Sequence, residues 1–94
     1  MYSSEKPFGN TKLNYPSRVV MKAITFSNFT EEEHKDAING VLDTLILKAS
    51  DWKKKNSNAG KYVSYSFSVE ILNKIQLERM YTMLNDLEVV KMLL

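Results

Sequence analysis

Ten residues in a row, Tyr62 to Ile71, alternate without a break, and this stretch constrains the fold more than any other. Val63, Tyr65, Phe67, Val69 and Ile71 fall on one side, and Tyr62, Ser64, Ser66, Ser68 and Glu70 on the other. Side chains of a strand alternate between its two faces, so this segment has one core face and one almost entirely hydroxyl face. A strand of this kind belongs in the middle of a sheet that is covered on one side only.

The flanking segments supply the rest of such a sheet. "RVVMKAI" at about 18–25 is β-branched and short, with Val19, Met21 and Ala23 inward if Arg18 and Lys22 face water. "FTEEE" opens a helix: Thr30 can cap the Glu33 amide while the Glu33 carboxylate reaches back to the Thr30 amide. Three glutamates in the first turn also suit the positive end of the helix dipole. Ala37, Ile38, Val41, Leu42, Leu45 and Ile46 continue one apolar stripe through Asn39-Gly40, so one helix is expected to run to about Ala49. Gly40 and Leu47 then lie on its outer side.

"DWKKK" reads as a short second strand anchored by Trp52, and "NSNAG" as the turn into the long third strand. A second helix starts after Asn73, with Gln76 completing a capping-box variant and Leu72 and Leu77 flanking it as a hydrophobic staple. Its stripe is Leu77, Met80, Tyr81, Leu84 and Leu87. "EVVKMLL" is a fourth strand, expected to bury Val90, Met92 and Leu94 and to leave Val89, Lys91 and Leu93 on the opposite face.

The order β-α-β-β-α-β, with right-handed crossovers, gives an α+β ferredoxin-like sandwich. Two helices cover one face of a four-stranded antiparallel sheet of strand order 4-1-3-2. The serines sit at the centre of the uncovered face.

At 94 residues the chain is one domain, large enough to bury about 60–65% of its unfolded surface. Residues 1–12 are poor in apolar side chains and are expected to form a flexible leader, with the domain spanning 13–94. No cysteine is present, which removes disulfides and thiolate nucleophiles. No segment has the length or the flanks of a membrane span or a signal peptide, so a soluble cytoplasmic protein without membrane contact is expected. A net charge of +2, spread along the chain apart from "WKKK", does not argue for nucleic acid.

The pattern carried by Tyr15-Pro16 ahead of strand one and Gly60-Lys61-Tyr62 at the start of strand three resembles the YbeD-like family of small bacterial proteins of unknown function. Met80-Tyr81-x-x-Leu84 in helix two and the terminal Val90-Lys91-Met92-x-Leu94 add to the likeness. It spans roughly Leu13 to Leu94. The resemblance implies a ferredoxin-like fold, close in shape to regulatory ACT domains, and brings no catalytic residues.

The residues themselves point the same way. His34 is the only histidine, at the edge of the helix-one stripe and in position to pack on Phe29, and a zinc site or proton-transfer role would need converging partners. Adjacent glutamates 31–33 fan around a helix rather than converge on one bond, no serine stands in a Gly-x-Ser-x-Gly elbow, and no glycine-rich phosphate loop exists. The chain is therefore expected not to be an enzyme and to need no cofactor. Binding RNA in the manner of the RNA-recognition motif would need exposed aromatics on the central strands, and Tyr65 and Phe67 have core parity.

The working surface is expected on the open sheet face, at Arg18, Lys22, Ser64, Ser66, Ser68 and Lys91, among aliphatics Val20 and Ile24. A solvated sheet covered by lysine stems is the plain alternative. A regulatory or adaptor domain that binds a protein partner there, with a homodimer as one form, is the first expectation. An ACT-like module sensing a small metabolite at "TFSNFT", where Asn28, Thr30 and the helix N-terminus could take an anion, is the second.

Overall fold

The computed structural model describes residues 14–57 and 59–94. In chain order these form β1 (Ser17–Phe26), α1 (Glu31–Thr44), β2 (Ala49–Asn56), β3 (Tyr62–Ile71), α2 (Lys74–Asn85) and β4 (Val90–Leu93). The sheet runs β2-β3-β1-β4 with every neighbouring pair antiparallel, which is the expected ferredoxin-like α+β sandwich. The expected leader lies outside the described residues.

The core lies between the sheet and the two helices. Val19, Met21 and Ala23 of β1 and Tyr65, Phe67, Val69 and Ile71 of β3 meet Ile38, Val41 and Leu42 of α1 and Leu77, Met80 and Leu84 of α2. Trp52 of β2 closes one side, its ring 4.7 Å from that of Phe67 and edge-on to Tyr65. Lys35 lies over the outer side of the indole.

Both helices start as their sequences dictate. Thr30 and Glu33 form the reciprocal capping box, at 3.0 and 2.8 Å. At α2, Asn73 Oδ1 accepts from the Gln76 amide, while Gln76 Oε1 accepts from the Leu72 amide and its Nε2 donates to the Leu45 carbonyl at the end of α1. The one glutamine thus ties the two helix ends together. Leu72 itself points into solvent, so Leu77 packs into the core without the staple.

α1 runs unbroken through Gly40 but stops five residues short of Ala49. Its end is a Schellman motif: the Leu47 amide bonds the Leu42 carbonyl at 2.7 Å, and the Ile46 amide bonds Asp43 at 3.1 Å. Ile46 takes the left-handed conformation the motif requires, at φ 60°, and is turned outward. The reversal swings Leu47 back into the core, so it does not lie on the outer side of α1.

β4 departs from simple alternation. Ile24 pairs with Met92 but Thr25 pairs with Val90, so Lys91 is an extra residue in the ladder. The bulge reverses parity within the strand. Val89, Val90 and Leu93 are buried, whereas Met92 and Leu94, expected inside, are exposed. β2 has the same irregularity. Ser50 pairs with Ser68 and Lys53 with Ser66, leaving one extra residue, and Asp51 adopts φ 55°.

Candidate functional site: the open sheet face

On the side away from the helices the side chains sort into lanes along the strands. The register of β1 on β3 sets Val20 beside Ser68, Lys22 beside Ser66, Ile24 beside Ser64 and Phe26 beside Tyr62. β2 contributes Lys53 beside Ser66 and Lys55 beside Ser64. On the far side of β1, Met92 stands beside Ile24, and the Leu94 amide bonds the Lys22 carbonyl. A cationic lane on β2, a hydroxyl lane on β3 and a largely aliphatic lane on β1 and β4 result.

Of the expected residues, Lys22, Ser64 and Ser66 stand together in mid-face. Arg18 lies at one end, cross-strand from Glu70, and forms an ion pair with Asp51 at the β2 bulge. Because β1 and β2 flank β3, this pair bridges over β3 next to Ser68. Ser68 is only 7% exposed, so it is not part of an open serine row. Lys91 is exposed at the β4 bulge. Val89 and Leu93, expected on this face, belong to the core instead.

Lys53, Lys55, Phe26 and Met92 join the face without having been expected there. For three of them the signal was present. Inward parity at Trp52 places Lys53 and Lys55 outward, and extending β1 by one residue adds Phe26. Its ring lies 6.1 Å from that of Tyr62, so the face does hold an aromatic pair, at the sheet's end rather than its centre.

The face is apolar in places. Val20 is 63% exposed, Met92 44% and Leu94 63%. Among the described residues, no carboxylate pairs with Lys22, Lys53 or Lys55. Where the β2 bulge spreads the ladder, a groove of about 600 Å³ opens between Val20, Asp51, Lys53, Ser66 and Ser68 and reaches the edges of Trp52 and Phe67.

A second concavity, about 510 Å³, lies at the β1–α1 turn, where an ACT-like ligand was expected. Its charged side chains, Glu31 and Lys54, already pair with each other. Thr30 caps the helix, and Glu31 bonds Lys54 at 2.7 Å and Lys35 at 3.3 Å. The hydrogen bond from Lys54, with help from Lys35, lowers the Glu31 carboxyl below its ordinary 4.5, and the same bond raises Lys54 above 10.5. His34 beneath is fully buried, with Nε2 2.7 Å from the Phe26 carbonyl and Nδ1 2.9 Å from the Tyr65 hydroxyl. A carbonyl only accepts, so Nε2 carries the hydrogen and Nδ1 accepts from Tyr65. Both ring nitrogens are thereby used in holding α1 to the sheet, and the ring packs on Phe29 as its spacing implied.

Among the described residues, no three His, Cys, Asp or Glu side chains converge to hold a metal ion, and no helix is long and apolar enough to cross a membrane.

The solution structure of protein HP0495 from H. pylori resembles this fold, with a TM-score of 0.69 at 19% identity over 100% of this chain and 96% of that one. No protein with a curated description matches the sequence. Residues 10–94 match the family described as "Protein of unknown function (DUF493)". The chain therefore belongs to the DUF493 family, the YbeD-like group whose resemblance the Tyr-Pro, Gly-Lys-Tyr and C-terminal motifs carried.

Proposed function

We propose that this is a small non-catalytic regulatory or adaptor domain that binds a partner protein through its open sheet face. One observation carries the reading: exposed Val20, Met92 and Leu94 lie beside lysines that no carboxylate of the described chain neutralises. Exposed aliphatics scattered singly are ordinary, whereas aliphatics gathered on one face beside a lane of one charge suit a complementary surface. The serines between them are small and allow close approach. The concavity at the β1–α1 turn favours metabolite sensing less, because its charged groups already pair with each other.

The test is capture from the native host with the wild-type domain and with two face variants, Ser66→Tyr and Val20→Asp. Both variants should fold, since neither residue faces the core, and both should lose the captured protein. Glu32→Gln, on the exposed side of α1, should keep it. Retention of the same protein by both face variants would refute the docking reading. A rise in melting temperature with free amino acids, abolished by a substitution at Asn28, would support the sensor instead.

A further inference from the structure

Resting on that reading, the geometry points to an anion clamp at the centre of the face: Lys22, Ser66, Ser68 and Lys53 receive a side-chain carboxylate from an acidic segment of the partner. Lys22 and Lys53 flank Ser66 in one cross-strand row, one on each neighbouring strand. A group lying over Ser66 therefore meets a cation on either side. The two lysines stand two strand spacings apart, about 10 Å, so an anion over Ser66 lies one strand spacing from the backbone of each and is attracted by both.

Ser68 supplies the second, independent observation. It is more than nine-tenths buried, it lines the groove, and its hydroxyl makes no hydrogen bond among the described residues. Its remaining exposure opens into the groove, where the O–H is free to donate to an acceptor that enters. Ser66, two residues away on the same side of β3, lines the groove as well. Asp51 is the one carboxylate lining the groove, and Arg18 neutralises it, so the two lysines set the sign of the field.

The neighbours of the clamp select a peptide rather than a free ion. Val20 and the edges of Trp52 and Phe67 line the same groove, and Leu94 stands beyond Lys22. A segment with an acidic and an aliphatic residue two positions apart would place its carboxylate over Ser66 and its aliphatic group against Val20, which stands beside Ser68. An extended acidic strand fits this spacing, because residues on one side of it repeat at about 7 Å, close to the spacing of Ser66 and Ser68 on β3.

Two blocked pentapeptides, acetyl-Glu-Thr-Leu-Thr-Glu-amide and acetyl-Lys-Thr-Leu-Thr-Lys-amide, and a uridine oligonucleotide of similar length serve as probes, read by amide chemical shifts in a 15N–1H titration. The acidic peptide should shift the amides of Lys22, Lys53, Ser66 and Ser68, more weakly at high salt, and the basic peptide should not. Ser68→Ala should leave the melting temperature unchanged, since no internal bond is lost, yet weaken the peptide severalfold. Lys22→Gln with Lys53→Gln should weaken it roughly tenfold or more.

The inference is overturned if no shift occurs up to about 5 mM peptide, an affinity too weak to matter for docking. It is likewise overturned if shifts gather at the β1–α1 turn, if the oligonucleotide produces the same pattern more tightly, or if neither variant weakens the peptide. Should the captured partner be lost with Val20→Asp yet keep its affinity for the Lys22→Gln/Lys53→Gln double variant, the docking face stands and the clamp alone fails.

Discussion

Replacing Ile46 with glycine should make the domain more stable. Ile46 is held at φ 60° with 90% of its surface exposed, in the position of the Schellman motif where glycine is the usual occupant. A left-handed backbone conformation costs an L-residue about 1–2 kcal/mol, and a branched Cβ puts Ile towards the upper end. Against that, glycine adds freedom to the unfolded chain worth about 0.4–1 kcal/mol. Little apolar burial is lost, because only a tenth of the side chain is covered. The bonds from the Ile46 amide to Asp43 and from the Leu47 amide to Leu42 use backbone atoms alone and survive. The balance is a gain of about 1 kcal/mol, which raises the melting temperature of a domain this size by about 4–8 °C. Ile46→Ala is the control: it removes the branch but keeps the Cβ, so it should recover only a small part. Urea unfolding of all three proteins at one pH provides the free energies, with equal m-values as the check on two-state behaviour. A glycine variant no more stable than wild type, or alanine gaining as much as glycine, would refute the strain argument.

Two other expected outcomes concern the buried pair behind the sheet. Tyr65→Phe and His34→Phe should each destabilise, the histidine change more, by about 2–3 kcal/mol, because it strips a near-buried carbonyl of its best donor. The double variant should fall short of additivity by about 1 kcal/mol if the hydroxyl bonds the ring as the 2.9 Å contact implies. In alkali, burial pushes the Tyr65 hydroxyl above its ordinary 10.0, so the folded state keeps a proton that the unfolded chain gives up. Stability is then lost as pH rises above 10.0, and Tyr65→Phe should flatten that part of the pH–stability profile while leaving the remaining alkaline loss in place.

The sequence made the architecture legible because its strongest signals are local and periodic. The Thr30–Glu33 box, the Asn73 cap and the unbroken alternation of β3 each have one dominant structural solution, and together they leave a single economical topology. Where expectation and structure part, the reason is a single residue that shifts the phase of a period. Ile46 ends α1 because the chain reverses there to bury Leu47. The stripe alone could not reveal this, since Leu45, Ile46 and Leu47 are all apolar and no glycine marks the turn.

The candidate face is altered more deeply by the same cause. A one-residue bulge costs little backbone pairing but exchanges the two faces of everything beyond it. In β4 the bulge at Lys91 moves Met92 and Leu94 outward and Leu93 inward, so the lane beside Lys22 becomes aliphatic. In β2 the bulge at Asp51 draws Arg18 across β3 and half closes the serine row, while opening the groove that Ser68 lines. Bulges disrupt backbone bonding, and sheets tolerate them where they re-aim side chains. Here both irregular strands flank the same two central strands, and both changes are expressed on the uncovered face. The helix-covered face, by contrast, keeps a continuous core of Val19, Met21, Ala23, Phe67 and Val69. The bulges serve that core as well, since they turn Trp52 against Phe67 and bury Leu93 with Val90, so each irregularity sets the side chains of both faces at once.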